Sequence, residues 1–241
     1  MISKWLEEAK VTAVFTGAGM STESGLPDFR SAKSGLWTVK DPSRIASVQA
    51  LNENVEEFFE FYRSRVSGVN EFSPNVGHHI LASWEKQGWV DGIITQNVDG
   101  FHSAAGSLHV MELHGSLKKV HCQSCGTELD SAEYMKGNYR CKCGGTLRPS
   151  VVLFGEMLPE LPFTNALSLS ESADLFIVLG SSLTVSPANQ FPLIAKQNGA
   201  KLVIVNMEPT EFDGYADLVI HDRKIGEVLT EIDRELQGDR P

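Results

Sequence analysis

Apolar residues fall along the chain in short uninterrupted runs. They are VTAVFT at 11–16, GIIT at 92–95, LHVMEL at 108–113, DLFIVL at 174–179 and KLVIVN at 201–206, with a weaker ADLVI at 216–220. Several are apolar at consecutive rather than alternate positions, as strands covered on both faces are. Between them the spacing predicts helices over about 76–87, 163–171, 187–198 and 225–237. The opening MISKWLEEAK adds a short amphipathic helix with Ser3 as candidate N-cap. Strand and helix alternate as in a doubly wound parallel α/β sheet, where ligands sit at the carboxyl ends of the strands.

Two stretches break the alternation. Residues 32–75 hold a loop and a helix, and 118–149 hold every cysteine along with Gly126, Gly137, Gly144 and Gly145. Together they are expected to form a smaller second domain, leaving 1–31, 76–117 and 150–241 to the large one. The helix, ENVEEFFEFYRSRV at 53–66, places Val55, Phe58, Phe59, Tyr62 and Val66 at helical spacing. The end after Leu236 reads as frayed.

With 241 residues, 41% of them hydrophobic and 22% charged, the chain can bury a sizeable core. A net charge of −10 argues against a nucleic-acid backbone as partner. No apolar run approaches the roughly 18 residues of a membrane span, and the start lacks a signal peptide's apolar core. The expectation is a cytoplasmic protein away from membranes, and, with no interface legible, a monomer. In that setting the four cysteines read as one zinc site rather than disulfides. Cys122-x₂-Cys125, fifteen residues and Cys141-x-Cys143 give two close pairs suited to a tetrahedral structural metal, with His121 a less favoured substitute ligand.

Candidate chemistry follows the strands. After the first run comes TGAGMSTESGLPDFRS, a glycine turn in which Thr22 stands where a dinucleotide fingerprint has its third glycine. Gly17 and Gly19 would let the backbone approach a phosphate, or would simply make a strand-to-helix turn. Phe29 suits an aromatic ring or the core, and Arg30 a phosphate or the loop itself. In TQNVDG, Asn97 and Asp99 are two apart, a spacing fit for holding a carboxamide or for an Asx-turn. His114 ends the third run and is a candidate general base. Gly180-Ser181-Ser182 and Asn206-Met207-Glu208 end the next two. Five strand ends with small or polar groups point to one nucleotide crevice.

GAGMSTESGLPDFRS, TQNVDGFH, LHG, the paired cysteines, VVLFGE, GSSL and VNME, in this order, resemble the sirtuins, NAD-dependent protein-lysine deacylases. The resemblance runs from about Val11 to about Leu229. It implies a Rossmann-like sheet, and a small domain made of a zinc ribbon and a helical module. NAD, as co-substrate, and an acyl-lysine protein would meet in the cleft between them. Gly17, Ala18, Gly19, Thr22, Phe29 and Arg30 would line the NAD site. Gln96, Asn97, Val98 and Asp99 would hold nicotinamide and ribose. Gly180, Ser181, Ser182, Asn206 and Lys224 would serve the adenosine half, with Asp222 a looser match. Val151, Phe154 and Gly155 would lie beside the substrate peptide. Asn97 would help nicotinamide leave and His114 would take a proton from the ribose hydroxyls. The products would be lysine, O-acyl-ADP-ribose and nicotinamide, and one zinc would be held by Cys122, Cys125, Cys141 and Cys143.

Tyr62 and Arg65 share a helix face, and Y-x-x-R resembles the signature of the subgroup that removes succinyl and malonyl groups. Ala46, sixteen residues earlier, matches that subgroup's roomier pocket. Deacetylation is the main expectation and desuccinylation or demalonylation the alternative. Mono-ADP-ribosyl transfer, a nucleic-acid-binding ribbon and hydride transfer are the rivals.

Overall fold

The computed structural model describes residues 1–28 and 42–238. In chain order the helices are α1 (Ile2–Glu8), α2 (Pro42–Ile45), α3 (Val48–Glu53), α4 (Val55–Asn70), α5 (Val76–Gln87), α6 (Phe101–Ala105), α7 (Ala132–Met135), α8 (Glu160–Ser172), α9 (Phe191–Gln197) and α10 (Ile225–Leu236). The strands are β1 (Thr12–Thr16), β2 (Gly92–Thr95), β3 (Val110–Glu112), β4 (Gly115–Cys122), β5 (Glu128–Asp130), β6 (Leu147–Val151), β7 (Leu175–Leu179), β8 (Lys201–Val205) and β9 (Leu218–Ile220).

Among the described residues the strands form two sheets. The larger has the order β3-β2-β1-β7-β8-β9, parallel throughout. That is the doubly wound arrangement, with its switch point between β1 and β7. The runs are apolar at consecutive positions because successive side chains enter opposite cores. Val14, Ile93, Ile177 and Val203 face α1, α5 and α10, where Leu6, Trp84 and Leu229 are buried. Phe15, Ile94, Val178 and Ile204 face the other way, against Ala166 of α8 and Phe191 of α9. The smaller sheet is antiparallel, β5-β4-β6. Its inner residues Leu117, Val120 and Val151 join a third core with Phe58, Phe61, Tyr62 and Val66 of α4.

The structure departs from the sequence expectations locally. Met1, not Ser3, is the N-cap of α1, and the Ser3 hydroxyl donates to Glu235. Residues 42–70 hold three helices rather than one, with a break at Asn54. The buried face of α4 includes Phe61 and Val69, while Val55, its first residue, is exposed. The turn after β1 continues as a 3₁₀ helix over Ala18–Ser24. The expected divisions at 117/118 and 149/150 fall inside β4 and β6, which begin and end at Gly115 and Val151. No helix among the described residues is long and apolar enough to cross a membrane.

Candidate active site

The carboxyl ends of β1, β2, β7 and β8 and the β3–β4 turn open into one cavity of about 460 Å³, within the usual range of about 300–1,000 Å³ for ligand sites. Gly17, Ala18, Gly19 and Thr22 line it, as do Gln96, Asn97, Val98 and His114. So do Gly180, Ser181 and Ser182, and Asn206 with Lys224. Val151 comes from β6, Phe154 and Gly155 from the segment after it, and Tyr62, Arg65 and Ala46 from the helical module. All five strand ends singled out in the sequence therefore meet. Asp99 and Asp222 are not among the lining residues. Phe29 and Arg30 lie outside the described residues.

The glycines have a structural reason that the sequence did not reveal. A Cβ on Gly17 would meet the Gly180 carbonyl oxygen at 2.7 Å, and one on Gly19 would meet the Gly180 Cα at 2.8 Å. The two loops are also bonded: Gly17 N–H donates to Leu179 O (3.1 Å) and Gly19 N–H to Gly180 O (2.9 Å). Those N–H groups are committed to the neighbouring loop, so these glycines serve close approach of backbone to backbone.

Behind the cavity wall sits a buried polar chain. The Asn97 amide donates to Gly17 O (2.9 Å) and to Ser21 Oγ (3.2 Å), and Ser21 Oγ donates to Asp99 Oδ2 (2.7 Å). Asp99 Oδ1 accepts the Phe101 N–H at 2.9 Å, which is an Asx-turn at the start of α6. Asp99 thus has the turn role that was one of its two readings, and it also fixes Asn97 through Ser21. Burial raises the Asp99 carboxyl above its ordinary value, opposed by the Phe101 N–H and the Ser21 hydroxyl. Ser21 carried no sequence signal beyond its place in a polar loop. Gln96 is held by a bond from Nε2 to Ser181 Oγ (2.8 Å).

His114 Nδ1 lies 3.1 Å from Gln96 O. A carbonyl only accepts, so Nδ1 carries the hydrogen and the neutral ring keeps its basic lone pair at Nε2. The segment beyond β6 is held by Arg148, which donates to Val151 O (3.3 Å) and Glu156 Oε1 (2.6 Å). Glu156 Oε2 accepts the Leu153 N–H at 2.8 Å. Phe154 pairs with the chain before α3, its N–H donating to Ala46 O (3.0 Å). Tyr62 is buried, and burial pushes its phenol far above the usual range, so it stays neutral.

Away from the cavity, the sulfurs of Cys122, Cys125, Cys141 and Cys143 all lie within 4.8 Å of one another. Two of the separations are 3.5 Å (Cys122–Cys143) and 3.7 Å (Cys125–Cys141). Tetrahedral zinc with Zn–S bonds of about 2.3 Å spaces its sulfurs about 3.8 Å apart, so the donor set fits that metal. His121 is turned to Ser150 Oγ and takes no place in the cluster.

Fold and site define a doubly wound α/β domain joined to a four-thiolate metal module, with residues of both lining one cavity. The chain belongs to the Sir2 family, whose family model matches residues 17–187. It is 65% identical over 235 residues to an NAD-dependent protein deacetylase of Oceanobacillus iheyensis, covering 98% of this chain and 100% of that one. A solved mutant of a Sir2 homologue in complex with ADP-ribose superposes with a TM-score of 0.94 at 39% identity, covering 99% of this chain and 96% of the other. A Sir2 mutant with a deacetylated p53 peptide and 3'-O-acetyl-ADP-ribose gives 0.92 at 35% identity, covering 97% and 96%.

Proposed function

We propose that this protein is an NAD-dependent protein-lysine deacetylase that transfers the acetyl group of an acetyl-lysine to ADP-ribose, consuming one water and releasing nicotinamide, lysine and O-acetyl-ADP-ribose. One observation carries the reading: His114 and the other four strand ends share a single cavity with the Val151–Gly155 edge. Its lining of amides, hydroxyls and cations suits a carboxamide, ribose hydroxyls and a diphosphate. NAD supplies a ribose carbon already bonded to a good leaving group. Asn97, fixed by Gly17 and Ser21, orients the nicotinamide end, and His114 Nε2 accepts a proton from a ribose hydroxyl. Ser181, Ser182, Asn206 and Lys224 hold the adenosine half. Val151, Phe154 and Gly155 flank the substrate backbone, which adds along that edge. Cys122, Cys125, Cys141 and Cys143 hold a structural zinc that organises the small sheet. The protein works as a cytoplasmic monomer on acyl-lysine proteins.

The test is incubation with NAD and matched acetyl-, malonyl- and succinyl-lysine peptides, with products followed by mass spectrometry. Nicotinamide and O-acetyl-ADP-ribose are expected, and His114→Ala should slow turnover by about 10²–10⁴-fold with its melting curve unchanged. ADP-ribosylated protein in place of O-acetyl-ADP-ribose would overturn the reading in favour of mono-ADP-ribosyl transfer.

A second reading concerns the acyl group. Tyr62, Arg65 and Ala46 line the same cavity, and a neutral phenol beside a guanidinium suits an acyl carboxylate. Tyr62→Phe or Arg65→Met should raise KM for succinyl-lysine far more than for acetyl-lysine, and equal effects on both would remove that role.

A further inference from the structure

Two loops that line the cavity are tied together by one side chain outside it. The first is Asn206–Glu208, after β8, and the second is Arg223–Ile225, leading into α10. His221 follows β9 directly. Its Nδ1 lies 2.8 Å from the Asn206 carbonyl oxygen and its Nε2 lies 2.9 Å from Asp213 Oδ2. A carbonyl and a carboxylate both only accept hydrogen bonds. Two donated bonds from one ring need two N–H groups, which only the imidazolium has.

Both acceptors are fixed. Asp213 Oδ1 accepts from Thr210 Oγ1 at 2.7 Å, and its Oδ2 accepts the Thr210 N–H at 3.1 Å. Against a desolvation that would raise it, these bonds and His221 hold the Asp213 carboxyl below its usual range, so it is a carboxylate. Asn206 donates its N–H to Ile220 O (3.1 Å) and its amide to Glu208 O (2.7 Å). On the other side of His221, Asp222 adopts φ 57°, a left-handed conformation uncommon outside glycine. The Arg223 guanidinium is turned to Glu231 at 2.6 Å. The charged groups whose fields raise His221 are therefore Asp213 and Asp222.

We propose that His221 is a positioning residue for the adenosine half of NAD, which as an imidazolium ties the Asn206–Glu208 loop to the Arg223–Ile225 loop and makes nucleotide affinity depend on one proton. The proposal rests on the reading that the cavity takes NAD. The Asn206 carbonyl first, then Asp213 and Asp222, raise the imidazole above its usual 6.5, with partial desolvation opposing. The clamp is thus complete below that usual value and is lost as pH rises through the raised one. There the neutral ring keeps its one hydrogen on Nε2, towards the Asp213 carboxylate, and Nδ1 turns its lone pair on the Asn206 carbonyl, so the bond that joins the two loops breaks.

The probe is ADP-ribose, titrated by calorimetry into the full zinc-loaded protein between pH 6 and pH 9. The wild type should weaken about fivefold or more across that range. His221→Ala should bind weakly at pH 6 already and show no such fall. His221→Arg, charged at every pH, should bind as the wild type does at pH 6 and stay flat to pH 9. Asp213→Asn keeps the side-chain shape but removes the facing charge, and should move the wild-type midpoint to lower pH. This variant keeps the test alive should His221→Ala fold poorly. In steady-state assays the loss should appear in KM for NAD much more than in kcat. An unchanged pH profile in His221→Ala, or an unmoved midpoint in Asp213→Asn, would overturn the role of His221 alone. No ADP-ribose binding by the wild type at any pH would overturn the reading of the cavity, and the role of His221 with it.

Discussion

At the carboxyl ends of β1 and β7 two loops touch backbone to backbone, while at the tips of the small sheet four cysteine sulfurs converge within 4.8 Å of one another. The first contact is made by backbone alone. Gly17, Gly19 and Gly180 leave no room for a Cβ, the first loop donates two N–H···O bonds to Leu179 and Gly180, and two apolar cores flank the strands beneath. The second has little core of its own. Cys125 and Cys143 are exposed, every residue of β5 is exposed, and a Cβ on Gly137 or Gly144 would meet nothing within 4 Å. A parallel sheet covered on both faces is held by apolar burial, so its ends can be shaped for a ligand. A small sheet covered on one face needs a metal to close its tips.

Gly180→Ala should do the most damage. Its Cβ would strike the Met20 N–H and the Gly19 backbone, and the position has φ 62°. A loss of at least about 3 kcal/mol is expected in chemical denaturation, because backbone cannot move aside as a side chain can. A loss under about 1 kcal/mol would show that the junction is looser than described.

Removing the metal should act locally. Structural zinc contributes an apparent binding free energy of about 10 kcal/mol or more in small domains, which the exposed tips cannot replace. Chelation should abolish amide protection between Cys122 and Leu147 and leave the six-stranded sheet protected in hydrogen exchange. Loss of protection in both sheets together would break the contrast.

Arg148 lies between these extremes. Its side chain is 9% exposed and pairs with Glu156, so Arg148→Met leaves a partly buried carboxylate without its cation. About 3 kcal/mol of destabilisation is expected, together with a raised KM for the peptide, since Val151 and Leu153 are positioned by the same pair. A changed melting temperature with no change in KM would confine the pair to stability.

Gly137→Ala should cost least, about 1 kcal/mol, because only its φ of 78° opposes a side chain. A cost near that of Gly180→Ala would mean that the ribbon is packed as tightly as the strand ends.

The strands of the large sheet were legible because they are apolar on both faces, and VTAVFT, DLFIVL and KLVIVN announce this without reference to anything else in the chain. β5 and β4 were not. ELD has one leucine, exposed between two acids, and GSLKKVHC mixes buried Leu117 and Val120 with solvent-facing lysines. The short α6 and α7 went unseen for the same reason, and the break at Asn54 has no proline or glycine to mark it. The cysteines and His114 were legible as residue types with spacing. Ser21, Arg148 and Glu156 were not, since each acts through a partner distant in sequence or in a loop of no regular pattern.

By itself the sequence determined the parallel α/β class, the four thiolates and the five polar strand ends, because burial period and ligand spacing are local properties. Only the tertiary structure decided that Gly17 and Gly19 answer to Gly180, that Asp99 reaches Asn97 through Ser21, and that His221 bridges Asn206 and Asp213. Each of those depends on atoms brought together by strand order, and hydrogen-bond geometry across such distances leaves no trace in the spacing of residues along the chain.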